Sequence, residues 1–190
     1  MTSSPALIPP KGVFVPSPTF FQPTTTASDP TAPCEPALDI PTQIAHSVFL
    51  ARAGITGIVL LGSTGEAVHL SRRERSNLVS SVRKGLTEAG LPADYPLMAG
   101  VLTSGGLEET LEWLDDYARA GAQWGLVLVP GYFGPAVGQD GIVEWFAAVA
   151  DRSPIPVLVY QYPGVTNNVQ VLPETYRRLA AHDRIVGCKM

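Results

Sequence analysis

Short apolar runs alternate with stretches of helical periodicity along this chain, and that alternation restricts the fold more than any other feature. The runs fall at 13–16, 57–61, 97–101, 125–129, 156–160 and 185–188. Each is four or five residues long and rich in Val, Ile and Leu, as suits a parallel strand covered on both faces. Between the first two runs, Asp39 is a plausible N-cap with Pro41 in the first turn, Ile44, Val48 and Ala51 fall on one helical face, and Gly54 ends the helix. Leu78 and Val82 continue a second helix that fades at Gly90 and Pro92. Leu107, Leu111, Leu114 and Ala118 line a third, opposite Glu108, Glu112, Asp115 and Asp116, and further helices are expected over 142–150 and 173–181. An internal echo supports this division. Ala51-Arg52-Ala53-Gly54 and Ala118-Arg119-Ala120-Gly121 lie 67 residues apart, about two βα units, and each leads from a helix into a strand.

Strict βα alternation implies a parallel sheet with right-handed crossovers, either doubly wound or a (β/α)8 barrel. No G-x-G-x-x-G pattern follows the first strand, which favours the barrel over a dinucleotide fold. A complete barrel takes about 250 residues, so residues 12–190 are expected to form an incomplete (β/α)8 TIM-barrel type α/β fold of about six βα units. Residues 1–11 read as a flexible N-terminal tail, and 22–36, with its Thr and Pro, as a flexible excursion.

Within this frame, Gly57 to Arg75 carries the chemistry. A buried strand leads into Gly62-Ser63-Thr64-Gly65-Glu66, and Ser71 with Glu74 forms a capping-box signature for the next helix. Gly62 and Gly65 allow tight turns, while Ser63 and Thr64 offer two hydroxyls and two backbone N–H groups at a strand's C-terminal end. Parallel α/β proteins bind ligands there, and a small carboxylate is the natural guest. The same residues also make an ordinary βα turn, and taken alone they leave both readings open.

Gly62-Ser63-Thr64-Gly65-Glu66, followed by Leu70-Ser71 and Glu74-Arg75, resembles the first signature of the dihydrodipicolinate synthase / N-acetylneuraminate lyase family. Tyr160-Gln161-Tyr162-Pro163 and Ile185-Val186-Gly187-Cys188-Lys189 resemble its second. The similarity extends from about Gly12 to Met190, and the ordered pair, with lysine 29 residues beyond tyrosine, is more specific than either motif. The resemblance implies a class I aldolase on a (β/α)8 barrel. Such enzymes join a barrel lysine to a 2-oxo acid, usually pyruvate, through a Schiff base, and they need no metal or other cofactor. On that resemblance Lys189 is the Schiff-base lysine and Tyr160 the proton shuttle. Ser63 and Thr64 hold the substrate carboxylate in the loop shaped by Gly62 and Gly65. A lysine amine attacks a carbonyl only when deprotonated, and desolvation at a strand end favours that form. By residues alone, Lys189 could equally be a solvated terminal lysine and Tyr160 a core aromatic after Val157, Leu158 and Val159.

Three positions depart from the resembled synthases. Phe133 stands where a second tyrosine completes a relay with a neighbouring subunit, Val165 stands where an arginine grips the semialdehyde carboxylate, and Met190 follows the lysine where a polar residue is usual. Dihydrodipicolinate synthesis is therefore less expected than cleavage of a related 2-oxo acid, such as 4-hydroxy-2-oxoglutarate or a 2-keto-3-deoxy sugar acid. The alternative is a truncated, non-catalytic remnant of such an aldolase.

Other functions are excluded more briefly. A net charge of -4 argues against nucleic acid or an anionic membrane as partner. No apolar run approaches the roughly 20 residues that span a bilayer. Cys34 and Cys188 have no metal-ligand spacing, His46, His69 and His182 are scattered, and Glu108, Glu109 and Glu112 form a solvated helix face. Residues 1–10 lack a signal-peptide pattern, so a reducing, cytoplasmic setting is expected, with a small 2-oxo acid as partner and homo-oligomers allowed.

Overall fold

A computed structural model of the chain describes residues 7–23, 36–103 and 106–190. The elements are β1 (Phe14–Pro16), α1 (Ile40–Arg52), β2 (Gly57–Leu60), α2 (Arg72–Glu88), β3 (Leu97–Val101) and α3 (Leu107–Ala120). They continue with β4 (Trp124–Leu128), α4 (Gln139–Arg152), β5 (Val157–Tyr160), α5 (Pro173–Leu179) and β6 (Ile185–Lys189). The six strands form one sheet in the order β1-β2-β3-β4-β5-β6, and all five pairings are parallel. A doubly wound sheet reverses its strand order about a switch point. This one never does, so the fold is a curled, incomplete (β/α)8 barrel with helices outside.

Alternate residues of each strand serve two cores. Ile58, Leu60, Leu97, Ala99, Val101, Val127, Val157 and Val159 pack outward among the helices. Val59, Met98, Trp124, Leu126, Leu158 and Tyr160 fill the inside of the curl, with Phe14, Leu128 and Val186 at its margin. That two-sided burial is why the strands read as continuous apolar runs.

Helix ends follow their local chemistry. The Thr42 amide donates to the Asp39 carboxylate at 3.1 Å, and both arms of the Ser71–Glu74 capping box are present. Gly54 and Gly121, the echoed glycines, have φ of 90° and 99°, the left-handed conformation that turns each helix toward its next strand. The helix faces need correction. In α1 the most buried residues are Gln43, Ser47 and Ala51, with Ile44 and Val48 half-buried beside them. In α3 they are Thr110, Trp113, Leu114 and Tyr117, while Leu107 and Leu111 flank the core. Gln43 sits inside because both ends of its side-chain amide are hydrogen-bonded, which a hydropathy pattern does not register.

The proposed excursion at 22–36 falls mostly outside the described residues, as do residues 1–6, Cys34, Ser104 and Gly105. Its ends meet: Phe21 and Leu38 form an isolated antiparallel bridge. Residues 7–12 pass beneath the N-terminal end of the sheet, where the Trp124 indole N–H donates to the Leu7 carbonyl at 2.7 Å.

Candidate active site

The loop after β2 is built by close backbone contact. Leu61, expected to end the strand, instead has φ of 58°, and Glu66 has φ of 52°; both are strained for residues with side chains. Leu61 is almost wholly buried, and its carbonyl presses against Gly100 of β3, where any Cβ would collide with it. Gly65 is equally confined, since a Cβ there would lie 2.9 Å from the Leu61 nitrogen and 3.1 Å from the Ser17 carbonyl oxygen. Gly62 has open space around its α-carbon, so its expected steric role is not required by packing.

Two residues that motif reading missed fix this loop. The buried Thr19 hydroxyl donates to the Gly65 carbonyl at 2.6 Å. Gln43 of α1 donates to the Ser17 hydroxyl at 2.9 Å and accepts from the Phe20 amide at 3.2 Å, holding residues 17–20 in place. Neither forms a recognisable local pattern, because each acts across the fold.

The loop brings Ser63 to Tyr160 at the end of β5, with 3.0 Å between their hydroxyl oxygens. Lys189 lies on β6 directly across from Tyr160, its Nζ 4.0 Å from the ring centre. That pairing depends on a bulge. Val157 pairs with Ile185 but Leu158 with Gly187, so Val186 is an extra residue in β6. In an unbroken register Tyr160 would face Cys188 and Lys189 would point outward; the bulge turns lysine inward and cysteine outward. Cys188 lies instead toward Tyr176 of α5, whose hydroxyl pKa is pushed up to about 12 by burial and then by the thiol's charge.

Ser63, Thr64, Tyr160, Gln161, Tyr162 and Lys189 line one cavity of about 550 Å³. Ser63 is half-buried and Thr64 exposed. Gln161, also missed, anchors this end of the sheet. Its amide N–H donates to the Lys189 carbonyl at 2.9 Å, and its side chain accepts from the Tyr176 hydroxyl at 2.7 Å.

A second cavity of about 490 Å³ shares Ser63 and opens among the loops after β2, β3, β4 and β5. Val165 and Tyr132 line it. Phe133 packs edge-on against Tyr132, at 5.1 Å between ring centres, and is 74% exposed. Of the histidines, His46 lies against Phe20 and His182 against Asp151.

Comparison with known proteins finds relatives over most of the chain. The chain is 38% identical over 179 residues to an L-threo-3-deoxy-hexylosonate aldolase of Aspergillus niger, covering 94% of this chain and 50% of that protein. It is 35% identical to a protein of Emericella nidulans named "Probable 4-hydroxy-2-oxoglutarate aldolase, mitochondrial", covering 94% and 54%. A crystal structure of a dihydrodipicolinate synthase family protein from Coccidioides immitis superposes with a TM-score of 0.78 at 32% identity, covering 96% of this chain and 53% of that one. The chain thus spans about half the length of the relatives it matches. The pattern of the dihydrodipicolinate synthetase family matches residues 40–190. The chain belongs to that family.

Proposed function

We propose that this protein is a Schiff-base-forming carbon–carbon lyase acting on pyruvate-yielding 2-oxo acids, such as a 2-keto-3-deoxy sugar acid or 4-hydroxy-2-oxoglutarate. The observation that carries the reading is the cluster of Ser63, Tyr160 and Lys189, with the tyrosine touching both partners at one end of the sheet. The Lys189 amine adds to the C2 carbonyl, and loss of water leaves an iminium. Loss of the C4 hydroxyl proton then breaks the C3–C4 bond, whose electrons pass into the iminium to give an enamine, and the tail leaves as an aldehyde. Protonation at C3 and hydrolysis return the amine and release pyruvate. Tyr160 carries protons in these steps, and Ser63 and Thr64 hold the C1 carboxylate with the loop's backbone N–H groups. Dihydrodipicolinate synthesis fits less well, because Val165 lines the neighbouring cavity where a charged grip on the semialdehyde would be needed.

Among the described residues, no helix is long and apolar enough to cross a membrane. We place the reaction in the cytoplasm, as the sequence led us to expect, with the mitochondrion as second setting because two relatives are named mitochondrial. Fractionation with a tagged protein separates the two.

Borohydride reduction in the presence of pyruvate tests the chemistry. A stable adduct at Lys189, located by peptide mapping, is expected for protein made from the whole coding sequence. An adduct at Lys11 or Lys84 but not Lys189 refutes the site, and no adduct leaves the non-catalytic reading standing.

A further inference from the structure

Arg75 belongs to the first signature, yet no step of the proposed reaction uses it. It lies in the first turn of α2 and is only 8% exposed. A buried cation is unfavourable there twice over, because burial disfavours its charge and the first turn of a helix repels positive groups. Burial is the largest influence on the guanidinium and holds its pKa below the ordinary arginine value. Of the carboxylates that act on it, Asp116 is bonded to Arg72 and Arg119 instead. Two other partners hold the guanidinium. Its carbon lies 3.4 Å from the centre of the Trp113 ring of α3, and one of its N–H groups donates to the Leu70 carbonyl.

Leu70 ends a run of turns that begins at the loop carrying Ser63 and Thr64. The Gly65 N–H donates to the Gly62 carbonyl at 2.9 Å, and the Glu66 N–H to that of Ser63 at 3.2 Å. The His69 N–H then donates to the Glu66 carbonyl at 2.9 Å, and the Leu70 N–H to that of Ala67 at 3.2 Å. Glu66 stands where the two pairs of turns join, and its φ of 52° is a left-handed conformation that a side chain disfavours. Such a residue keeps its conformation only while the structure on both sides holds it. On one side Leu61 presses on Gly100 and Thr19 grips Gly65. On the other, Arg75 grips Leu70.

We infer that Arg75 is a positioning residue for the carboxylate-holding loop: by fixing Leu70 it keeps Glu66 left-handed and Ser63 at its 3.0 Å contact with Tyr160. The inference rests on the aldolase reading above. Freed at Leu70, Glu66 relaxes, the turn from Ser63 to Glu66 opens, and Ser63 and Thr64 shift away from the cavity they share with Lys189. Arginine suits the task because its flat guanidinium stacks on an indole while its in-plane N–H groups reach a carbonyl. A lysine ammonium has no such plane.

The test uses the chain extended through two further βα units and follows borohydride trapping at Lys189 across pyruvate concentrations. Arg75→Met should raise the half-saturating pyruvate concentration by about tenfold or more, within the range that a displaced binding group costs. The saturated rate should fall by less than about threefold, since the reacting amine and Tyr160 are untouched. Arg75→Lys should raise half-saturation by about threefold, because it meets the ring or the carbonyl but not both. It decides the question where Arg75→Met does not fold. In a chain already carrying Ser63→Ala and Thr64→Ala, either Arg75 variant should add little, because the hydroxyls it positions are gone. A residue that only stabilises the fold lowers the melting temperature and leaves half-saturation of the folded protein unchanged. That result overturns the inference and leaves the aldolase reading intact, as does full additivity with the double variant. Absence of trapping in the unmodified extended chain overturns the aldolase reading itself, and the inference with it.

Discussion

Tyr160 is gripped from two sides, by the Ser63 hydroxyl at 3.0 Å and by the Lys189 amine over its ring at 4.0 Å. Removing the hydroxyl while keeping the ring separates the two contacts. Tyr160→Phe is expected to slow imine formation yet leave pyruvate binding nearly unchanged, since only the transferable proton is lost. Single-turnover trapping rates at saturating and limiting pyruvate check this, and equal losses in rate and affinity would count against the shuttle role. Replacing Ser63 and Thr64 together by Ala should act the other way, on binding. A hydrogen bond to a charged group contributes about 1.5–3 kcal/mol, so pyruvate affinity should fall by well over tenfold. Ser63, Thr64, Tyr160 and Lys189 were legible in the sequence because each sits in a contiguous motif. Thr19, Gln43 and the left-handed Leu61 were not, because their importance arises from what the fold lays against them. Thr19→Val leaves the Gly65 carbonyl without its 2.6 Å donor, and the buried acceptor should cost about 1–3 kcal/mol of stability in a denaturant titration.

At the scale of elements, the bulge in β6 decides which side chain meets Tyr160. Deleting Val186 removes the extra residue and leaves an unbroken register in which Gly187 still meets Leu158 and Lys189 still meets Tyr160. That variant is expected to keep trapping at Lys189 and its far-ultraviolet circular dichroism. Loss of trapping with the circular dichroism retained would show that the bulge does more than set the register. Nothing in Ile185-Val186-Gly187-Cys188-Lys189 announced the bulge, since a four- or five-residue apolar strand reads alike in either register. Helix starts were far more legible. The Ser71 hydroxyl and amide both bond to Glu74, in that order of effect, and hold its carboxyl below the ordinary carboxylate value. A depressed folded pKa gives stability that is present above the unfolded value and lost as pH falls through the folded one. Ser71→Ala should therefore cost about 1 kcal/mol at neutral pH, and the difference from the unmodified protein should shrink as pH is lowered through the carboxylate range. Helix faces in α1 and α3 were misjudged for one reason: Gln43, Ser47, Thr110 and Tyr117 are polar by type yet buried by position.

For the whole molecule, strand order and direction follow from the βα alternation, because a right-handed crossover of that length permits few other parallel arrangements. Closure does not follow from alternation. Among the described residues, β1 pairs with β2 alone and β6 with β5 alone, which leaves each with an outer edge able to pair with another strand. Open parallel edges of this kind seek partners. A polypeptide limited to these 190 residues is therefore expected to self-associate with concentration, departing from its 20.2 kDa monomer mass in light scattering after size exclusion. The same edge bears on chemistry, because among the described residues β6 pairs with β5 alone, and the Lys189 carbonyl accepts from the backbone N–H of Gln161, just beyond β5, at 2.9 Å. A strand held from one side opens locally at lower free energy than one held from both. Borohydride trapping at Lys189 should accordingly be weak in the 190-residue polypeptide and strong in a chain extended through two further βα units. A monodisperse monomer that traps pyruvate as strongly as that extended chain would show that β5 and residues 7–12 suffice to hold this site closed.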